Sequence, residues 1–182
     1  MDAGVAAVAG AVVGVVGTTV AGVLTAWATR GQARIQARAQ QNQWLRQVRR
    51  DVYVALMTAD SATEDLVLGL RHAVSQAPPD LQEADRRLHQ APELLGKLKF
   101  AALTVGLEGP LGALSRASEV QTTTFDTLRE LTALRDLLAS NAAGTAAVDE
   151  AKAKVQDSIE RMQRAGSAFI RFASEVLSRD EQ

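Results

Sequence analysis

From Ala3 to Thr29 the chain carries no charged side chain, with Asp2 before the run and Arg30, Arg34 and Arg38 after it. Crossing a hydrocarbon core of about 30 Å takes roughly 20 helical residues, so a 27-residue uncharged run is long enough to span a bilayer with some tilt. The run is Gly, Ala, Val and Thr, with only Leu24 and Trp27 larger, and Trp27 stands at its C-terminal end, where an indole favours the headgroup layer. The pattern predicts an N-terminal transmembrane helix. Arg30, Arg34 and Arg38 recur at four-residue spacing and form one helical stripe suited to lipid phosphates. By the positive-inside rule the N-terminus lies outside and residues 30–182 lie in the cytoplasm at the plasma membrane, so whatever the protein recruits is cytoplasmic or in the bilayer. The rival reading is a cleaved signal peptide, for which Ala26-Trp27-Ala28 offers the small-x-small pattern. Against it stand the lack of a basic segment before the run and the three Arg after it, which oppose translocation.

Within the run Ala3, Ala7, Gly10, Gly14, Gly17 and Ala21 follow a four-three repeat, and Gly10 to Gly14 is a GxxxG. Small residues let helices approach closely in lipid, so Gly10, Gly14, Gly17 and Ala21 are the expected seam of a homo-oligomer. Because 17 of the 27 residues are Gly, Ala or Thr, such a seam also arises readily by chance.

The formal net charge of −1 conceals a division. Residues 30–50 carry six Arg and no acid, whereas residues 51–182 carry 14 basic and 20 acidic side chains. An acidic body repels phosphate backbones, which excludes nucleic acid as an expected partner and leaves anionic lipid headgroups as the match for the basic collar. If that collar stands upright as a helix, Arg46 lies roughly 25 Å along the axis from the end of the run, and only Arg30, Arg34 and Arg38 reach the headgroups. If Trp44 and Leu45 insert instead, all six Arg engage. Cysteine is absent, which excludes disulfides, thiolate catalysis and cysteine-ligated metal.

Beyond the collar the hydrophobic period is helical, and the expected organisation is an anchor over 1–29, a basic linker over 30–44 and a helical domain over 45–182. Leu45, Val48, Val52, Ala55, Ala59, Ala62 and Leu66 form the apolar stripe of a first helix continuing from the membrane. Ala77-Pro78-Pro79-Asp80 stops it, because tandem prolines cannot continue a helix. A second helix from Pro79 or Asp80 carries Leu81, Ala84, Leu88, Ala91, Leu95, Leu98, Ala102 and Val105, with Pro92 either kinking it or opening a new one. Gly106 to Pro110 is the next turn, with Pro110 suited to the first position of a third helix. That helix has the stripe Leu111, Leu114, Ala117, Phe125, Leu128, Leu131, Leu134 and Leu138, weakened by Gln121-Thr122-Thr123-Thr124. The last helix, capped by Thr145 or Asp149, shows the heptad register Val155, Ile159, Met162, Gly166, Phe169, Ala173 and Val176. The fold class is therefore all-α: a transmembrane helix continuing as the stalk of an antiparallel bundle of about four long helices.

No catalytic constellation emerges, and no cofactor or metal is expected. His72 and His89 fall about one turn out of register across the predicted hairpin and read as two solvated side chains. The glycines of 106–112 lack the Lys-Ser or Lys-Thr of a phosphate loop and follow no strand. Adjacent acids such as Glu64-Asp65 and Asp180-Glu181 point about 100° apart on a helix and read as surface charge. Glu160 and Arg164 stand at a supportive i, i+4 spacing.

The opening Ala3 to Trp27, the linker Gln32-Ala-Arg34-Ile-Gln36-Ala-Arg38 and the segment Leu103-Thr-Val-Gly-Leu107-Glu-Gly109-Pro110 together give a layout that resembles uncharacterised single-pass, alanine-rich helical membrane proteins of high-GC Gram-positive bacteria. The resemblance runs end to end and implies an architecture, not an activity. The expected function is a non-enzymatic scaffold or adaptor whose cytoplasmic bundle binds a protein partner or itself. The alternative is a membrane-perturbing effector that oligomerises through the small-residue span.

Overall fold

In the computed structural model the backbone is described for residues 3–140 and 144–179, and side chains from residue 36 onward except 39 and 42. Four helices account for nearly all of it: α1 (Ala3–Ser75), α2 (Leu81–Glu108), α3 (Ala113–Ala139) and α4 (Thr145–Arg179). The fold is all-α, with no strand among the described residues. The chain divides into two compact units, residues 1–45 and 46–182. In the first, the described side chains of Gln36, Arg38, Gln41 and Trp44 are exposed. Among the described residues no helix is long and apolar enough to cross a membrane. The run Ala3 to Thr29, on which the anchor expectation rests, lies outside the residues whose side chains are described.

The second unit is an antiparallel four-helix bundle. α3 packs on both α2 and α4, while α1 meets α4 through the Tyr53 and Phe169 rings, edge to face at 5.7 Å. Asp85 at the start of α2 accepts a 2.6 Å ion pair from Arg135 at the end of α3, as antiparallel neighbours require. The turns follow from local chemistry. Ser75 ends α1 ahead of the two prolines, the Asp80 amide bonds back to the Ala73 carbonyl at 3.0 Å, and the Asp80 side chain caps α2 by accepting from the Glu83 amide at 2.9 Å. Pro92 sits inside α2, so of the two expectations the single helix is the one observed. Pro110 does not open α3; its carbonyl closes a turn on the Ala113 amide at 3.0 Å. Gly112, at a φ of 94°, supplies the left-handed step from which the helix starts, a step that a Cβ would strain.

The inward faces of α2 and α4 are those the periodicity predicts. Ala84, Ala91, Leu98, Ala102 and Val105 are buried on α2, and Val155, Ile159, Met162, Gly166, Phe169 and Ala173 on α4. Two stripes differ. On α1 the inward residues are Tyr53, Leu56, Thr63, Val67, Leu70 and Val74, joined by Leu66, whereas Ala55 is exposed and Val52, Ala59 and Ala62 are only half-buried. The true stripe lies one residue, about 100°, from the predicted one, because it contains Asp60 and Thr63 and reads as interrupted. Of the stripe predicted for α3, Leu111 falls in the turn before the helix and is exposed, as are Leu114 and Phe125, and Val120, Thr124 and Thr127 take the inward places.

Threonine is tolerated there because its hydroxyl bonds the preceding turn. Thr124 donates to the Val120 carbonyl at 2.8 Å, and Thr127 to Thr123 at 2.8 Å and to the Ser158 carbonyl of α4 at 3.0 Å. The Gln121 to Thr124 stretch is thus not a break; it is a polar band across an uninterrupted helix. The core accordingly falls into two apolar clusters. One gathers Leu66, Leu70, Leu131, Leu134 and Ile159 towards the α1–α2 and α3–α4 turns. The other gathers Tyr53, Leu56, Leu98, Val105, Val120 and Phe169 towards the α2–α3 turn. Buried Thr63, Thr124 and Thr127, with Asp60, lie between them.

Candidate functional site

A groove of roughly 930 Å³ lies between α1 and α4. Its origin is the step from large to small residues away from the Tyr53–Phe169 contact. Ser61 and Ala62 on α1 and Ala173 and Ser174 on α4 leave low ground between the raised walls of Val54, Met57, Ile170 and Leu177. Val54 and Ile170 are exposed large apolar residues. Arg50 stands at one end of the α1 side and Asp65 at the other.

A second recess of roughly 480 Å³ adjoins the groove and shares Met57, Ser61 and Ile170 with it. It is polar, and its centre is Asp60. The steps 53, 56, 60, 63, 67, 70 and 74 form an unbroken three-four alternation, so Asp60 occupies an inward position of α1. Gly166 of α4 makes room for it, since a Cβ built on that glycine would stand 3.0 Å from Asp60 Oδ2. Burial, and secondarily the Glu64 carboxylate one turn along, push the Asp60 carboxyl up to about 6. Glu64 accepts a hydrogen bond from Gln163 Nε2 at 3.1 Å and is half-buried, so it is not the simple surface charge its sequence context suggests. Asp65 next to it is exposed, at the end of the groove.

Chemically, the two recesses offer apolar surface, serine hydroxyls and carboxylate acceptors. The second recess sets the Asp60 and Glu64 carboxylates one helical turn apart, beside the Ser61 hydroxyl. Among the described residues no cluster of three histidine or acidic side chains has metal-ligand geometry.

Of the residues singled out from sequence, Arg38 is exposed on α1. Trp27, Arg30 and Arg34, together with Gly10, Gly14, Gly17 and Ala21, lie outside the residues whose side chains are described. His72 and His89 are both exposed, and His72 shares a 3.1 Å hydrogen bond with Gln76 on its own helix. Arg164 meets Glu160 through the backbone, donating to its carbonyl at 3.2 Å, while the Glu160 carboxylate accepts from Gln156 at 2.8 Å. Sequence reasoning missed the groove. Its signal was present in Val54 and Ile170, large apolar residues standing one position beyond the core residues Tyr53 and Phe169.

No protein-family model matches the chain, and neither a curated protein nor a solved structure matches it.

Proposed function

We propose that this protein is a non-enzymatic, single-pass membrane adaptor whose cytoplasmic bundle receives an amphipathic helix, from a partner protein or a second copy, in the groove between α1 and α4. The groove carries this reading. From Arg50 to Asp65 it follows α1 for about 22 Å at 1.5 Å per residue, or four helical turns. A guest helix with apolar residues at i, i+3, i+4 and i+7 lays one face against Val54, Met57, Ile170 and Leu177. Arg50 and Asp65 then favour the guest whose acidic and basic ends match them, fixing its direction. Anchoring contributes by confining both partners to one surface, which raises their effective concentration without any new contact.

The anchor itself rests on the uncharged run of residues 3–29 and the Arg30, Arg34, Arg38 stripe beside Trp27, which together support an outside N-terminus, a cytoplasmic bundle and contact with anionic headgroups. The effector alternative draws only on the small-residue seam and gives the groove no role.

The test is photo-crosslinking in native membranes, with a crosslinking residue at Val54 of the full chain. A discrete protein adduct that disappears in Ile170→Glu, with helicity retained, is the expected result. Adducts to lipid alone, or an adduct unchanged by Ile170→Glu, overturn the groove reading. Protease added to intact cells is expected to leave the bundle whole; its digestion overturns the topology.

A further inference from the structure

The α1 side of the groove is a ridge formed by Arg50, Val54, Met57, Thr58, Ser61 and Asp65, which recur at helical spacing. Around its midpoint, between Met57 and Thr58, the ridge is built of opposites. Arg50 and Asp65 stand at equal distances on either side of that point, and so do the large Val54 and the small Ser61. Arg50 and Asp65 are the charged side chains that line the groove; both are exposed, and neither is ion-paired among the described residues. The neighbouring charges on the two helices, Arg49, Asp51, Glu64, Arg171 and Glu175, do not line it. Val54, although apolar, is 56% exposed, and Ile170 on the α4 side is 50% exposed.

A symmetric pair of chains joins one patch to itself, so that residue i of one chain meets j of the other while j meets i. Such a patch must be complementary to itself when reversed. The α1 ridge meets that requirement. With two ridges antiparallel and centred between Met57 and Thr58, Arg50 meets the partner's Asp65, and Asp65 meets the partner's Arg50. Val54 fills the low ground over the partner's Ser61, where the partner's Ile170 forms the far wall. The parallel arrangement fails, because it sets base on base at one end and acid on acid at the other. A guest helix for this groove needs an acid, a small residue, a large apolar residue and a base in register, and α1 itself carries that series.

We propose that the occupant of the groove is the α1 ridge of a second copy, antiparallel and related by a two-fold axis that passes between Met57 and Thr58. The inference rests on the groove reading and names its guest. Four helical turns from each chain make a contact at the small end of the range for specific interfaces, so the pair draws on the effective concentration that a shared surface supplies. Antiparallel pairing is open to chains held in one membrane, because a two-fold axis along its normal relates helices of opposite direction lying in its plane.

Because the chain contains no cysteine, single cysteines report the pairing directly. With the full chain in lipid vesicles, Thr58→Cys is expected to form a disulfide-linked dimer on mild oxidation. Val54→Cys alone is expected to stay unlinked, since its two copies lie about 10 Å apart along the axis and a disulfide needs Cβ atoms about 4 Å apart. Val54→Cys mixed with Ser61→Cys links. Arg50→Glu or Asp65→Arg, each added to Thr58→Cys, sets like charges together at both ends and is expected to slow linking about tenfold, while both reversals in one chain restore it. A Val54→Cys that links to itself as fast as Thr58→Cys, or a double reversal that stays slow, overturns the antiparallel pair. A Val54 photo-adduct to a different polypeptide, with no Thr58→Cys dimer, overturns this inference and leaves the groove reading standing. Neither a dimer nor a protein adduct overturns both.

Discussion

Replacing Asp60 by Asn is expected to stabilise the protein at neutral pH and to flatten its response to acid. The folded carboxyl titrates at about 6 against an ordinary value of 3.8, a rise of roughly two units caused first by burial and then by Glu64. At 1.36 kcal/mol per unit the ceiling is about 3 kcal/mol, and because the recess opens to solvent, screening reduces this to about 1–2 kcal/mol. The sign follows from proton counting. Between pH 3.8 and about 6 the folded chain holds the Asp60 proton more tightly than the unfolded chain, so stability falls as pH rises through that window and stays at the lower level above it. Asp60→Asn removes this fall: the variant matches the parent near pH 4 and exceeds it by about 1–2 kcal/mol at pH 7. For a domain of this size that is a rise in Tm of about 2–8 °C. The assay is thermal unfolding of the full chain in mild detergent, followed by far-UV circular dichroism from pH 4 to pH 8. A variant no more stable than the parent at pH 7, or one that keeps the parent's fall between pH 4 and pH 6, refutes the argument that Asp60 is charged at a cost in the bundle.

Other substitutions test the packing on either side of it. Gly109→Ala is expected to cost about 1–3 kcal/mol by denaturant midpoint, because its Cβ would stand 2.5 Å from the Val105 carbonyl oxygen and 2.7 Å from the Ala113 Cβ. Thr127→Val removes the hydroxyl shared between the Thr123 and Ser158 carbonyls. Both acceptors lie within helices, so the loss is expected at the modest scale of about 0.5–1.5 kcal/mol in the same measurement. The nearest atoms to a Cβ on Gly69 belong to the far end of the Arg87 side chain, whose Nε donates to Glu83 at 2.7 Å. For Gly69→Ala the gain from replacing an interior helical glycine, about 0.5–1 kcal/mol, is expected to exceed the cost of moving that side chain, giving a higher midpoint.

How far the fold was legible depended on where large apolar residues fall. On α4 each inward turn holds a Val, Ile, Met or Phe or a small residue beside one, and on α2 leucine and alanine alternate, so a single phase explains each helix. On α1 two neighbouring stripes compete. The alanines at 55, 59 and 62 complete one of them on paper, while the other passes through Asp60 and Thr63, residues whose burial depends on what α4 and the preceding turn offer them. Gly166 opposite Asp60 is a property of the pair, invisible from either helix alone. The same holds for Thr124, read as part of a weak stretch, and for Thr127, which the predicted stripe passed over, because their acceptors are carbonyls rather than side chains. The groove was missed for a related reason: its walls are residues one step outside each core stripe, and a search for inward positions passes over them.

The middle of this bundle is therefore not the packing that stability alone would favour. Filling position 60 with leucine and position 166 with alanine would join the two apolar clusters into one and close the recess beside the groove. The chain instead keeps a carboxylate charged at neutral pH in a half-buried site, with a glycine facing it, next to the open, largely apolar groove between α1 and α4. Departures from local packing rules gather where a protein has a second task, and the charged one here, Asp60 facing Gly166, lies between α1 and α4 beside the groove. The consequence is a trade: Asp60→Leu is expected to raise Tm more than Asp60→Asn does, while lowering the yield of the Val54 adduct. If it raises both, the recess serves only the fold, and the link between the buried carboxylate and the groove is lost.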